Sequence, residues 1–422
     1  MRVYVFNVGS GDHILVQLPN KKYGIIDFHY QSNLGQAEVP AQSFLRKKLE
    51  EGEDVHIAFI HLTHPHHDHM KGMESFLNWS QDESVSIEID DFWWFGGAES
   101  STYEKSIREQ LKELKNNQIL NTEIKNKAAE LYSWMGIVED SLNNYKFQLI
   151  DEIKPLGHIS PAVSSYSLAP LRKLCIDFVS KLISSTIQAS KLLEKKPIDI
   201  DKNIISTALL FVVSKLRIFF GGDLHKNTFM ECHNEHQTVI KNRLNIPEFS
   251  SDLIKGCHHG SKNSSSEEIW DILIGDKKKS NIVFSAGTRY EHPNPETIKH
   301  IYKTAEKKGL NAYFPAPNLT GIPVSKGKFQ EADIKILSTN ISFEYLEKLE
   351  LEQEDQNFIY KNEESDHKQE IEYTFAELLH ESEVGDKTAP EVNMLSSIIY
   401  DIDLNDNSIK TKIGFTSDLK GK

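Results

Sequence analysis

The sequence predicts a layered α/β fold, on three observations. Short apolar runs rich in β-branched and aromatic residues alternate with helical stretches over more than 300 of the 422 residues. The first 30 residues read as an antiparallel meander. The segments richest in reactive side chains sit directly after apolar strands, where a rigid element can present groups that the following loop leaves open.

Taken in order, Val3–Phe6 and His13–Leu18 are separated by Gly9-Ser10-Gly11-Asp12, and Tyr23–Asp27 follows the turn Pro19-Asn20-Lys21-Lys22. Residues 39–51 read as a helix. The apolar strand Ile57–Leu62 runs into a histidine cluster, and another helix begins near Gly72. Residues 84–97 hold a strand ending in Phe92-Trp93-Trp94-Phe95-Gly96-Gly97. The stretches 101–145 and 170–195 read as helical insertions in a β-rich frame. β-structure resumes at Thr207–Val213, turns at Ser214-Lys215 and continues through Leu216–Asp223. A strand at Asn281–Ala286 and a helix over 295–308 follow.

The composition changes after residue 340, so the chain divides into a domain over 1–340 and an acidic extension over 341–422. Residues 345–386, rich in Glu, Asp, Gln and Lys, read as a solvated helix or a mobile linker. A last strand pair, Ser396–Ile402 and Ser408–Ile413, ends the extension. No internal repeat is present.

Apolar residues make up 39 % of the chain, enough for a sizeable core. Lys and Arg number 48 against 62 Asp and Glu, a net charge of −14, which argues against a uniformly basic nucleic-acid surface. It leaves room for a local basic patch, and bound divalent cations would offset part of it. The three cysteines, Cys175, Cys232 and Cys257, form no C-x-x-C pair. That speaks against a disulfide framework or a cysteine-rich zinc site and fits a reducing cytoplasm. The opening Met1–Asn7 lacks the features of a signal peptide, and no apolar run approaches the roughly 18 residues of a membrane span.

The chemistry concentrates in His64-Pro65-His66-His67-Asp68-His69, four histidines and one aspartate in six residues. Imidazoles with carboxylates suit zinc, and also manganese or iron. Alternation lets His64 and His66 project to one metal, while Asp68 and His69 turn to a second. Far downstream, Asp223 follows a strand ending in two glycines, which let the backbone turn sharply. Alone it reads first as a helix cap; with the histidine cluster upstream it reads as a metal ligand. His258 and His259 form a second histidine group.

His-x-His-x-Asp-His after a strand resembles the signature of the metallo-β-lactamase superfamily. Further segments resemble its ComEC-like branch, the soluble hydrolase domain of DNA-uptake competence proteins. They are Asn7-Val8-Gly9-Ser10-Gly11-Asp12, Ile25-Ile26-Asp27, Asn203-Ile204-Ile205-Ser206, Phe220-Gly221-Gly222-Asp223, Leu253-Ile254-Lys255-Gly256-Cys257-His258-His259-Gly260-Ser261 and Tyr290-Glu291-His292-Pro293-Asn294-Pro295. Their order agrees from residue 3 to about 325.

The resemblance implies a four-layer αββα sandwich with two divalent ions, zinc first and manganese next, at one edge of two sheets. It implies metal ligands His64, His66, Asp68, His69, Asp223 as the bridge, and one of the later pair. His258 is favoured there, with His259 the alternate and the other free to hydrogen-bond substrate. Gly260-Ser261 would begin a helix whose amides face an anion. Asp27 would orient the histidine loop and Asp12 support the backbone near it; on residue type alone both are also ordinary turn carboxylates. Asn203 and Ser206 would contact substrate or hold the metal loop. Asp68 and His292 are the catalytic candidates, His292 as a substrate contact or a proton donor to the leaving group. No comparable signal attaches to His56, His61, His158, His225, His233 or His236, although His225, two residues past Asp223, is placed to approach the site and is not assigned.

The sequence departs from the wider superfamily at one ligand. Many members carry a further histidine between the first cluster and the bridging aspartate, and only His158 lies in that interval. The opening also reads Asn-Val-Gly-Ser-Gly-Asp, and Glu291 stands where glycine is common.

The resulting expectation is a cytoplasmic metal-dependent hydrolase, first a phosphodiesterase or nuclease acting on DNA, RNA or nucleotides. The alternatives are hydrolysis of a non-phosphate ester, lactone or thioester, or a metal-binding regulatory protein. The insertions or the C-terminal extension would then bind a protein partner.

Overall fold

The computed structural model describes residues 1–31, 36–82, 84, 85, 87–95, scattered residues between 109 and 136, and 146–192, 201–287, 292–315, 328–341, 349, 351–355 and 395–415. Most of 101–145 and 345–386, with Gly96, Gly97, Tyr290 and Glu291, lies outside the described residues.

Two large sheets form the frame. The first has nine strands: Arg2–Phe6 (β1), Ile14–Gln17 (β2), Tyr23–Ile26 (β3), Val55–Leu62 (β4), Ile87–Phe95 (β5) and Lys146–Ile150 (β6), with the three C-terminal strands placed below. The second has eight: Lys154–Ser160 (β7), Val163–Ala169 (β8), Ala208–Val213 (β9), Leu216–Phe220 (β10), Leu253–Lys255 (β11), Ser280–Phe284 (β12), Ala312–Tyr313 (β13) and Ile334–Ser338 (β14), in the order β13-β14-β12-β11-β10-β9-β8-β7. β1, β2 and β3 are the expected antiparallel meander.

Side-chain alternation makes the layers. Val3, Val5, Ile14 and Val16 face a core shared with Leu209, Phe211 and Phe219 of the second sheet. Tyr4, Phe6 and Leu15 face the other way, onto the helices Pro40–Glu50 (α1) and Met73–Ser80 (α3). The helices Glu267–Ile274 and Pro295–Lys307 supply Trp270, Leu273, Ile298 and Ile301 to the core of the second sheet. The fold is thus a mixed α/β sandwich of two large sheets with helices, as the sequence leads one to expect.

One irregularity in β4 positions the site. Its pairing with β3 slips between Tyr23↔Ile57 and Gly24↔Phe59. The extra residue resets the alternation, so Phe59 faces the inner core. His61 follows on the same face, its ring at 2.6 Å from the Thr207 hydroxyl just before β9. Phe59 stacks on Trp93 at 4.3 Å between ring centroids and meets Phe211 of the second sheet edge-on. It occupies the space above Gly24, where a Cβ would come within 2.1 Å of its ring.

The segment 170–195 contains the helix Arg172–Leu192, whose Cys175 and Phe178 pack into the outer core of the first sheet. All three cysteines are free and buried. The β7–β8 hairpin was not anticipated, because its serine-rich sequence hides the strand pattern; Ser165 and Ser167 point inward yet are buried and hydrogen-bonded.

The C-terminal strands join the first sheet rather than standing apart. Leu395–Asp403 (β16) pairs antiparallel with β1, and Ser408–Phe415 (β17) pairs with β16. Within the acidic stretch, Glu352–Asp355 (β15) forms a parallel strand beside β17. Among the described residues, no helix is long and apolar enough to cross a membrane.

Candidate metal centre

The parallel pairs β3–β4 and β10–β11 end at one edge of the sandwich. The loops after these four strands carry all the expected metal ligands and Asp27, while Asp12, Asn203, Ser206 and His292 come from other segments.

The first loop is organised by Asp27, which is buried and has φ +58°. One carboxylate oxygen accepts the Thr63 amide at 2.8 Å, and the other accepts the Thr63 hydroxyl at 2.8 Å. The His69 Nδ1 lies 2.7 Å from the same carboxylate. The Thr63 oxygen, its proton committed to Asp27, accepts from His64 Nδ1 at 3.1 Å. Asp27 therefore engages the Nδ1 side of His69 directly and of His64 through Thr63, which turns both Nε2 atoms toward the centre, that of His69 without a hydrogen-bond partner. Thr63→Val keeps the shape and removes the relay. We expect about a 10–100-fold loss of metal affinity with little change in fold, read by competition with a chromophoric chelator; unchanged affinity would exclude the relay.

His64 Nε2 and His66 Nδ1 face each other at 2.7 Å. The short helix His67–Met70 (α2) then turns Asp68 and His69 back toward the sheets. The loop is pinned by the Asp12 amide on the Asp68 carbonyl and the Phe28 amide on the His69 carbonyl.

Asp223 is the hub. Gly222 before it has φ +51°, and a Cβ there would lie 2.5 Å from the Thr207 carbonyl, so only glycine passes. The Asp223 amide donates to Ser206 Oγ at 2.8 Å. Asp223 Oδ2 has four imidazole Nε2 atoms around it: His69 at 3.3 Å, His258 and His259 at 3.6 Å, and His64 at 3.9 Å. Asp223 Oδ1, His69 Nε2 and His259 Nε2 are buried without a hydrogen-bond partner. Buried polar atoms left in this state are costly, and here they converge. Ligand atoms of His64, His69 and Asp223 lie within 4.8 Å of one another, as do those of Asp68, His69 and His259. This donor set fits a divalent cation.

His258 and His259 occupy a 3-10 turn after β11, both left-handed at φ 46° and 53°. Successive left-handed non-glycine residues are costly, and here they aim two consecutive imidazoles at one carboxylate. The structure distinguishes the two. His259 is buried, with Nδ1 2.8 Å from the Ser285 carbonyl and Nε2 3.9 Å from Asp68 as well as facing Asp223. His258 turns Nε2 to Asp223 and Nδ1 to the Ser264 hydroxyl at 3.4 Å, and stacks on His225, centroids 5.4 Å apart. His259 is thus the member of the pair that lies among the clustered donors.

Other candidates fall around this centre. The His292 ring stands 6.4 Å from His258 and 6.5 Å from His259 between centroids. Ser206 Oγ is 3.5 Å from His64 Nδ1. Asn203 is one step removed, its side-chain nitrogen 3.2 Å from His225 Nε2. Ser261 does not open a regular helix: its hydroxyl accepts from Asn263 in the 3-10 turn Lys262–Ser264, and the helix begins at Glu267 under a Ser266 cap. His158 is exposed on edge strand β7, beside Ser164.

The electrostatics describe a site short of cations. Burial opposes ionisation of Asp223, but His259, His69 and His258 outweigh it and hold the carboxyl well below its ordinary range. Burial likewise opposes protonation of His69 and His259, yet Asp223, with Asp27 or Asp12, raises both. Burial and neighbouring imidazoles push His64 well down, and burial with Lys202 brings His66 to about 4. The same carboxylates that raise His69 and His259 would favour a divalent cation between them.

Sequence reasoning passed over four participants. Thr63 and Lys255 are buried beside the centre. His225 bridges Asp201 and His258, and His29 packs over Gly11. His225, two residues past Asp223, was the one with a readable signal.

No protein-family model and no curated protein matches the chain. Solved structures do. A diphosphatase from the PhnP family is 12 % identical over 71 % of this chain and 91 % of that one, with a TM-score of 0.30. Zinc-bound PqqB from Methylobacterium extorquens is 11 % identical over 73 % and 95 %, TM-score 0.32. A long-form RNase Z from yeast is 8 % identical, TM-score 0.32; this chain is covered entirely and spans 50 % of that one. At these TM-scores the likenesses carry no argument about this chain. The roles argued here rest on the chain's own residues.

Proposed function

We propose that this protein is a dinuclear metal-dependent hydrolase of phosphodiesters, with DNA, RNA or nucleotides as substrates. The observation that carries this is the sharing of one buried carboxylate, Asp223, by imidazoles of two ligand sets. His64 Nε2, His66 Nδ1 and Asp223 would hold the first ion, with His258 in place of the histidine absent upstream. Asp68, His69, His259 and Asp223 would hold the second. Zinc suits this nitrogen-rich set best, and manganese is the second choice.

Bound there, a pair of divalent ions supplies Lewis acidity and an acidified water suited to in-line displacement at phosphorus. The chain does the rest. Asp223 fixes the spacing of the two sets. Asp27 and Thr63 keep His69 and His64 in the metal-binding tautomer. Asp68, its side chain 39 % exposed, stands at the mouth and accepts a proton from the attacking water. Burial brings His292 to about 4, so it is neutral at pH 7 and donates a hydrogen bond to the leaving oxygen. The branch-specific sequence resemblance directs the choice to phosphodiesters over other esters.

The test is a panel of single-stranded DNA, RNA, cyclic nucleotides, generic phosphodiesters, lactones and thioesters, assayed with zinc or manganese. Phosphodiester turnover abolished by chelator and by His66→Ala supports the proposal. Full turnover by a folded, metal-free His66→Ala protein, or turnover of lactones or thioesters alone, contradicts it.

A further inference from the structure

Lys255 ends β11 with its side chain 2 % exposed, behind the ligand cluster. Its ammonium donates to Asp12 Oδ2 and to the Gly222 carbonyl at 3.4 Å. The other Asp12 oxygen lies 3.4 Å from His259 Nδ1. The Asp12 amide donates to the Asp68 carbonyl. One buried cation therefore has two arms, one through Asp12 to His259 and Asp68, the other through Gly222 to the turn that aims Asp223.

A buried ion pair is weak evidence of stabilisation, since well-packed apolar residues often serve as well. This pair does something an apolar pair could not. The His259 Nδ1 proton goes to the Ser285 carbonyl, and the Asp12 carboxylate stands 3.4 Å from the same nitrogen as an ionic contact behind the ring. Carboxylates behind metal-ligating histidines commonly fix tautomer and orientation in this way.

We propose that Lys255 is a positioning residue for the second ion: it anchors Asp12 so that His259 presents a bare Nε2 toward Asp68 and Asp223. This rests on the two-ion reading above. The same cation ties the Gly222 carbonyl, so the bridging carboxylate and the last imidazole are held from one point.

The experiment removes the pair together, Asp12→Asn with Lys255→Met, so that no buried charge is left alone. Zinc affinity at each ion is measured by chelator competition, and cobalt(II) absorption reports the ligand geometry. One ion should bind as in the wild type and the other about 10–100-fold more weakly. The same double change in a His259→Ala background should cause only a smaller further loss, through the Gly222 arm that remains. Wild-type affinity for both ions in the folded double variant, or an equal further loss without His259, overturns the proposal. Asp12→Asn alone, which retains an acceptor for Lys255, is the second variant should the first not fold. It must weaken the same ion, and unchanged affinities overturn the proposal equally. A wild-type chain that binds no ion would instead remove the two-ion reading itself.

Discussion

Asp223→Asn should cost the protein both ions and reduce hydrolysis by at least about 10³-fold, with the fold preserved. Four imidazole nitrogens lie within 3.3–3.9 Å of one carboxylate oxygen. Among the described residues, Asp223 is the carboxylate that faces imidazoles of both proposed ligand sets. Losing the charge leaves each set short of its bridge, so the two ions should leave together rather than in sequence. Asparagine retains the size of the side chain, and the Ser206 hydroxyl still receives the backbone amide. Elemental analysis and turnover of the best substrate provide the check. A variant that keeps two ions, or more than about a tenth of the activity, would exclude Asp223 as the bridge.

Lys255→Met alone should destabilise the fold by about 3–5 kcal/mol. The substitution fills a similar volume but strands Asp12, buried at 1 % exposure. Burial opposes the ionised form of Asp12, and Lys255 and His259 outweigh it and hold the carboxyl well below its ordinary range. Without the lysine that balance fails. Restoring neutrality with Asp12→Asn should recover most of the loss, because the penalty belongs to the lone charge and not to the missing pair. Urea unfolding of the single and double variants measures both. A single variant within about 1 kcal/mol of the wild type would mean that water or another group already compensates Asp12.

How much of this was legible in the sequence depended on locality. The first candidate ligands lie within six consecutive residues, so chemistry and spacing were read together. Asp223 became a candidate only through the histidine cluster upstream, and the Gly222 geometry shows why a glycine precedes it. The choice between His258 and His259 was not, because it depends on two left-handed residues that carry no glycine to announce them. Lys255 sits in an apolar run, and its partner Asp12 is 243 residues away. Thr63 looked like an ordinary residue after a strand until Asp27 was found beside it. The layered α/β class was readable from strands alternating with helices, whereas the two-sheet sandwich came only with the family resemblance. The place of the C-terminal strands was not, since Arg2↔Asp401 pairing joins opposite ends of the chain. The bulge that turns His61 and Thr63 inward was equally hidden, because a one-residue slip leaves no mark on composition.

The central claim is that this fold gathers a two-ion centre on Asp223. The measurement that tests it most directly is the metal content of the purified wild-type chain after saturation with zinc and removal of the excess. Two ions per chain, falling to none in Asp223→Asn, is the predicted result. A folded wild-type chain that retains no zinc or manganese would contradict it.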